Sequence, residues 1–408
     1  MISKTQSPEP QHADVTFVSN SIGRHFSSCK VCVIVPVRNE ASHLHQTLEA
    51  LRNQTDGSGQ PLPRGTYEVI VLVNNSSDDS FQIVTRYAQA FPAFGLSAGN
   101  IALPKDQAHI GTVRRLLMDE AYKRLTLSGS DDGIIASTDG DTIVDSQWVF
   151  QIMAEIAKGN DAVGGRILTH KNEQIARLYH LRDVTYRCLL THAECLVDPQ
   201  VHNPYPRHFQ YFAANMAVTC KMYAQAGKLP ILPFLEDVAF YKALLNQDAR
   251  IRNSFHVKVY TSTRTDGRVE IGFSEQLRKW QQDEEKAETQ MVEDVTLLIS
   301  TFRLRNMLRR CWSKYQQTKR IDANELDHIT SHLQMDTDRL ESALVNSTYF
   351  GPLWSMLHSY YKETNGAMAL QPIDQAIAQL RAFINKPDVT VFQKSPNGNS
   401  LLGGYARV

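Results

Sequence analysis

The chain has 408 residues, enough for one large hydrophobic core and a smaller added module. Lys+Arg and Asp+Glu both number 43, so the formal net charge is zero. That balance argues against a nucleic-acid-binding surface and against an acidic solvating tail. No run approaches the roughly 20 apolar residues of a membrane-spanning helix. The opening MISKTQSPEPQHADVTF also lacks the apolar core of a signal peptide. The expectation is a cytoplasmic protein with no transmembrane segment, one that would touch a membrane only peripherally if its substrate carried a lipid.

Six cysteines are scattered along the chain, and Cys29 and Cys32 form one CxxC. A structural zinc site needs a second pair at compatible spacing, and none follows. Cys32 also stands in the apolar run VCVIV, where it reads as a small buried hydrophobe.

After a leader over residues 1–30, residues 31–35 form a short β-branched run closed by Pro36, the pattern of a strand buried on both faces. Leu44, Leu48 and Leu51 place one apolar stripe on a helix over 40–54. A second strand over 69–73 stops at Asn74-Asn75-Ser76-Ser77-Asp78-Asp79, and a helix follows over 81–90. The alternation continues with a strand at 101–103, a helix through Val113, Leu117 and Ala121, and a strand at 134–136. A helix over 147–158 and a strand over 161–168 complete it. Strands alternating with helices predict an open, mostly parallel α/β sheet flanked by helices. In such a sheet the loops at the carboxyl ends of the strands build the ligand site. Beyond it the pattern predicts a helix over 175–197, strands over 209–218 and 257–262, and a helix over 237–245. A helical extension follows over 274–385, and residues 386–408 form a polar tail.

Three acidic or amide clusters carry the candidate chemistry. Asp139-Gly140-Asp141 directly follows an apolar strand. Carboxylates one residue apart can reach a divalent cation, Mg²⁺ or Mn²⁺, and the ribose of a nucleotide. A solvated acidic turn is the bland alternative. Glu236-Asp237 ends Leu232-Pro233-Phe234-Leu235 and opens a helix. There, acidic side chains also serve as caps, and a catalytic reading needs a carboxylate that takes a proton from a hydroxyl. Asn74 to Asp79 can hydrogen-bond a nucleobase or ribose, or simply cap the next helix. Two further groups read as surface or packing features as readily as functional ones: the turn from His202 to His208, and Trp280.

Taken in order, these features resemble family 2 glycosyltransferases of the GT-A fold. Val33-Ile34-Val35-Pro36-Val37-Arg38-Asn39-Glu40 is similar to that family's opening strand and donor-binding turn. Residues 71–79 are similar to its second-strand signature, with Asn74-Asn75 where many members carry Asp-Asp. Gly111-Thr112-Val113-Arg114-Arg115 is similar to the glycine-plus-basic element, Asp139-Gly140-Asp141 to the metal motif, and Ala214-Asn215-Met216-Ala217 to an acceptor-side strand. Glu236-Asp237 is similar to the pair holding the catalytic base.

The resemblance implies a single transferase domain over residues 31–273 that uses a nucleoside-diphosphate sugar, UDP by default and GDP as rival. It implies an inverting transfer to an acceptor hydroxyl on a small metabolite, a glycan or a lipid head group. Asp237 would be the base, with Glu236 beside it. Pro36, Arg38, Glu40, Asn74, Asn75, Asp79, Gly111, Arg114, Asp139 and Arg264 would line the donor, with Arg268 near the diphosphate. Asp141, Asp139 and His256 would hold the cation. The competing class is a degenerate domain of the same fold, acting as a nucleotide-sugar-binding or scaffolding protein.

Overall fold

The computed structural model describes residues 17–19, 29–127, 129, 132–169, 177–261, 273–366 and 369–386. The chain forms two compact units. The first comprises Met1–Glu173, Gln210–Leu244 and Ala249–Gly272, and the second Gln174–Phe209, Leu245–Asp248 and Phe273–Val408. The division is not one cut near residue 273, because residues 174–209 belong with the helical unit.

In chain order the elements begin β1 (Phe17–Ser19), β2 (Val31–Val37), α1 (Leu44–Arg52), β3 (Tyr67–Asn74), α2 (Ser80–Ala90) and β4 (Leu96–Ile101). Then come α3 (Ile110–Leu127), β5 (Ile134–Thr138), β6 (Thr142–Val144), α4 (Trp148–Ala157) and β7 (Ala162–Thr169). After α5 (Arg177–Val197), part of the second unit, the first unit resumes. It adds β8 (Asn215–Thr219), α6 (Cys220–Gln225), α7 (Glu236–Leu245) and β9 (Ile251–Thr261). The second unit continues with α8 (Phe273–Glu285), β10 (Met291–Glu293), α9 (Val295–Thr318), α10 (Ala323–Leu333) and α11 (Thr337–Asn346). It ends with α12 (Phe350–Asn365), β11 (Leu370–Pro372) and α13 (Ile373–Ile384).

The first unit is a nine-stranded sheet in the order β1-β4-β3-β2-β5-β8-β7-β9-β6. Strands β4, β3, β2 and β5 are parallel neighbours, and β7 and β9 share their direction. Six of nine strands therefore point one way, as the alternating pattern predicts. Period-two geometry sends alternate residues to opposite faces. Val31, Val33, Val35 and Val37 face one core with Leu44, Leu48, Val84 and Trp148. Cys32 and Ile34 face the other with Val113, Leu117, Phe240 and Leu244. All seven residues of β2 are buried. At about 1.5–3 kcal/mol for each fully buried Val or Ile, this strand anchors the unit.

Besides the start of β9, which lies at Ile251 rather than 257, two strand boundaries differ clearly from the pattern-based expectation. Residues 209–218 do not form one strand, because pairing with β5 is confined to 215–219. Ahead of it the Gln210 side chain imitates a strand residue: its Oε1 accepts from the Ile167 N–H at 2.8 Å, and its amide donates to the Ile167 carbonyl at 3.1 Å. The strand expected at 101–103 lies earlier, at 96–101, where small Ser97, Ala98 and Gly99 fit between neighbours.

Both cysteines of the CxxC are buried. Burial pushes the Cys29 thiol up to about 12, and burial likewise raises Cys32, so both stay protonated. Among the described residues no group of three or more His, Cys, Asp or Glu side chains is arranged to hold a metal. No helix among them is long and apolar enough to cross a membrane.

In the second unit, α5 turns Tyr186 and Ala193 toward Val295, Ile299, Ile377 and Leu380. Its apolar partners thus lie on α9 and α13, which is why this helix leaves the sheet's unit. The chain's His202 to His208 turn is used here as well: Tyr205 stacks on His192 at 4.0 Å, and Arg207 pairs with Glu194 at 2.6 Å. Trp280 is buried and stacks on His180 at 5.4 Å. Helices α9, α10 and α11 start on Asp294, Asp322 and Asp336, whose carboxylates accept first-turn N–H groups.

Asp198, 1% exposed, accepts from Arg305 Nε at 2.5 Å and Arg309 Nη2 at 3.1 Å. Asp198→Ala strands buried guanidinium charge and lowers the second unit's stability by about 3 kcal/mol. Asp322→Ala removes the exposed pair with Lys314 together with the α10 cap, and costs less than the loss of Asp198. Urea unfolding of both variants checks the order.

Candidate active site

The carboxyl ends of β2, β3, β4 and β5 lie along one edge of the sheet, and β8 enters at that same edge through the Thr138–Asn215 pairing. The turn after β2 is tied to the loop after β3. Asn39, at φ +53°, accepts from the Ser77 N–H at 2.7 Å and donates its own N–H to Ser76 Oγ at 2.9 Å. The Glu40 N–H donates to Ser80 Oγ and the Ala41 N–H to Asp78 Oδ2, each at 2.9 Å.

Asn75, at φ +47°, is used structurally. Its amide donates to the Leu103 carbonyl at 2.9 Å, and its Oδ1 accepts the Leu103 N–H at 3.0 Å. An aspartate could not supply the donor half of this pair, which accounts for the amide at this position. Asn74 is buried, Pro36 lies inside β2, and Arg38 is exposed with Nη1 3.3 Å from the Ala108 carbonyl. Asp79 is exposed at the start of α2 without a side-chain capping bond. Buried Glu40 lies 3.6 Å from His43 Nδ1.

The centre of the site is Arg114, on the first turns of α3 and 4% exposed. Its Nη2 donates to Asp139 Oδ1 at 2.7 Å, and its Nη1 donates to Glu236 Oε1. Burial works against the guanidinium charge, but Glu236, Asp139 and Asp237 outweigh it and hold the pKa above the ordinary arginine value. For Asp139, burial is the main cause that raises its carboxyl to about 6. Arg114 opposes the rise, and Asp141 and Glu236 add to it. One buried cation thus faces three carboxyl groups, with Asp141 acting in turn on Asp139.

Asp237 is held but reachable. Oδ2 accepts the Ala213 N–H at 3.1 Å and Oδ1 the Val238 N–H at 2.8 Å, while the side chain stays half-buried. Glu236 is buried and committed to Arg114.

Gly111 has a packing role. A Cβ there would lie 2.0 Å from the Leu232 carbonyl oxygen, so only glycine lets the segment before α7 press on the start of α3. That approach brings Glu236 within reach of Arg114. Gly140 is also tight, with a Cβ 3.0 Å from Val37 Cγ2, and its carbonyl accepts from Thr47 Oγ1 at 3.0 Å.

His256 is not brought to Asp141. The residue of β9 opposite this turn is Thr261, whose hydroxyl lies 3.3 Å from that of Thr142. His256 stands five positions earlier, in the register shift of the β7–β9 pair, on the order of 15 Å along the strand. The strand-start reading fails because β9 begins at Ile251, which puts His256 in mid-strand. Arg264 and Arg268 lie outside the described residues.

Asn215, matched to the acceptor-side strand, is fully buried. It accepts from Trp148 Nε1 at 2.8 Å and donates to the Arg166 and Val257 carbonyls. One site residue escaped the sequence reading: His109, just before α3, hydrogen-bonds to the Leu232 backbone. Burial lowers its pKa, with Glu236 and Asp106 opposing. Its only sequence signal is its place two residues before Gly111.

Residues 32–214, just under half of the chain, match the family model described as glycosyl transferase family 2. That stretch of the chain is similar to glycosyl transferase family 2. A curated relative, the glycosyltransferase AglE of Haloferax volcanii, is 28% identical over 138 residues, which is 34% of this chain and 39% of AglE. The chain thus spans well under half the length of that relative. Two solved structures align over most of the chain at low identity. One is the mannosyltransferase PcManGT from Pyrobaculum calidifontis in complex with GDP-Man and Mn²⁺, at 13% identity over 89% of this chain and 82% of that one, TM-score 0.42. The other is S. aureus TarS in complex with UDP-GlcNAc, at 14% identity over 87% and 91%, TM-score 0.42.

Gly111→Ala forces the Leu232 backbone off α3 and separates Glu236 from Arg114. We expect a loss of about 2–4 kcal/mol, well beyond an ordinary helix Gly→Ala change, which is mildly stabilising. Chemical unfolding of the variant beside wild type reads the difference.

Proposed function

We propose that the chain transfers a sugar from a nucleoside-diphosphate sugar to an acceptor hydroxyl with inversion at the anomeric carbon. The observation that carries this reading is the Arg114 cluster: a buried guanidinium shared by Asp139 and Glu236 at the carboxyl edge of the sheet, in a family 2 domain. In the step, the acceptor oxygen bonds to the anomeric carbon as that carbon's bond to the diphosphate oxygen breaks. The hydroxyl proton passes to Asp237, and the nucleoside diphosphate leaves. Asp237 suits this role because two backbone N–H groups fix its carboxylate while it remains half-buried. Glu236 acts as a positioning residue through Arg114.

Surplus negative charge around Arg114 fits a divalent cation with oxygen ligands, Mn²⁺ or Mg²⁺. Asp141 would hold it, with Asp139 oriented beside it by Arg114. His256 has no part in this set. When bound, such a cation neutralises charge developing on the leaving diphosphate. The loop over 75–80, Arg38 and Asp79 would face the nucleotide, and UDP is the default donor with GDP as rival. Because the Asn75 amide is used by Leu103, selection of the base falls on other groups of these loops.

A panel of UDP- and GDP-sugars, scored by thermal unfolding with and without Mn²⁺, tests the donor site. One nucleotide should stabilise the wild type by roughly 2.7 kcal/mol at about 100 times its dissociation constant, and Asp141→Ala should abolish the metal-dependent part. Asp237→Asn should keep donor binding and lower transfer by about 10²–10⁴-fold. Wild-type transfer rates in Asp237→Asn would remove Asp237 from the reaction.

A further inference from the structure

The segment that ends on Glu236-Asp237 exposes its apolar side chains. Leu232, Phe234 and Leu235 are 39%, 38% and 43% exposed, with Pro233 exposed among them. Exposed apolar side chains grouped in one short segment are a place to look for an interaction surface.

This backbone is held firmly. The Leu232 main chain presses on Gly111 and is hydrogen-bonded by His109. The Leu229 carbonyl accepts from Arg115 Nη1 at 2.8 Å, and the Leu235 carbonyl accepts the Ala239 N–H at 3.0 Å. The side chains are therefore presented by a fixed scaffold.

A second observation is independent of exposure. Leu235 has φ +58°, in the left-handed region that a branched side chain occupies only at a cost. Asparagine or glycine would relieve that strain, yet a leucine stands there with its side chain in solvent. On the other side of Asp237, the Ala213 N–H bond brings up Phe212, 37% exposed. Asp237 thus bonds the residue that follows exposed Phe212 and stands two positions after the run 232–235.

We infer that Leu232, Phe234 and Leu235 form the apolar wall of an acceptor subsite, so that the acceptor is an amphiphile whose hydroxyl meets Asp237 while its apolar portion lies on this loop. The inference rests on the transferase reading above. The run ends two residues before the proposed base and packs through Leu232 on Gly111 at the start of the helix that carries Arg114, which is what selects an acceptor as its occupant.

The test uses the full chain with octyl and methyl β-glucosides, the octyl compound kept below its micelle concentration, titrated by saturation-transfer NMR with and without UDP and Mn²⁺. Wild type should bind the octyl glucoside at least about tenfold tighter, with saturation reaching the alkyl protons. Leu232→Ser and Phe234→Ser, checked for folding by thermal unfolding, should lose that preference. Leu235→Asn should lose part of it and unfold at a higher temperature than wild type.

Equal affinity for the two glucosides, or a preference that survives both serine variants, overturns the inference. Cosedimentation with phosphatidylcholine vesicles without any octyl preference assigns the loop to a membrane surface and also overturns it. Failure of UDP with Mn²⁺ to raise the wild-type unfolding temperature counts against the donor reading alone. The octyl preference, read also without nucleotide, is scored separately.

Discussion

The site depends on one buried guanidinium. Arg114 has almost no contact with water, and a charge so placed persists only if opposite charge surrounds it. Its partners come from separate stretches: Asp139 from the turn after β5, and Glu236 from the start of α7 nearly 100 residues later. Taking either carboxylate away would leave Arg114 buried and underpaired. The loops that end β5 and begin α7 are therefore fixed relative to one another by electrostatics as well as by packing. Asp141, two residues after Asp139, and Asp237, next to Glu236, are carried into place by that bond pair.

Close approach makes the pairing reachable. Gly111 removes the side chain that would hold Leu232 away from α3. Elsewhere, amide side chains do the work of backbone. Asn75 pairs with Leu103 through both donor and acceptor, Gln210 does so with Ile167, and Asn215 links Trp148 to two carbonyls. Each amide satisfies main-chain groups where a strand ends or shifts register, positions at which an unpaired buried group would be costly. The loops at the carboxyl edge can be irregular because these side chains complete their hydrogen bonding.

How much of this was legible follows from what each signal measures. Apolar periodicity reports burial, so β2, β3 and β5, whose residues face two cores, were readable to within two residues at each end, and α1 to within four. The extent of β8 was not, since Phe209 to Ala214 carries strand-like residues while Gln210 takes over the pairing by side chain, which no periodicity records. Short β6 was likewise hidden behind the acidic turn that precedes it. Asp139, Asp141, Glu236 and Arg114 could be singled out because charge beside an apolar run is conspicuous in a sequence. Their mutual contact could not, because it depends on Gly111 and Leu232 meeting. His256 shows the converse: a metal-binding residue type near the right strand, displaced because β9 starts six residues before the predicted boundary. The place of 174–209 in the helical unit was also hidden, because an apolar helix face does not say which core it joins.

The charge and polarity of the edge divide its labour. Around Arg114 the carboxylates of Asp139, Glu236 and Asp237, with Asp141 beside Asp139, outnumber the one guanidinium, so on the reading proposed above a diphosphate donor would bring a cation with it. That is a constraint of the cluster itself, independent of which nucleotide is used. In the chain segments on either side of Asp237's contacts, the exposed groups Phe212, Phe234 and Leu235 carry no charge and offer no hydrogen bond. A polar ligand gains little there, whereas an apolar one gains by leaving water. Asp237 stands where the two regimes meet, which is the position a base needs if it is to join a charged donor to an acceptor of different character.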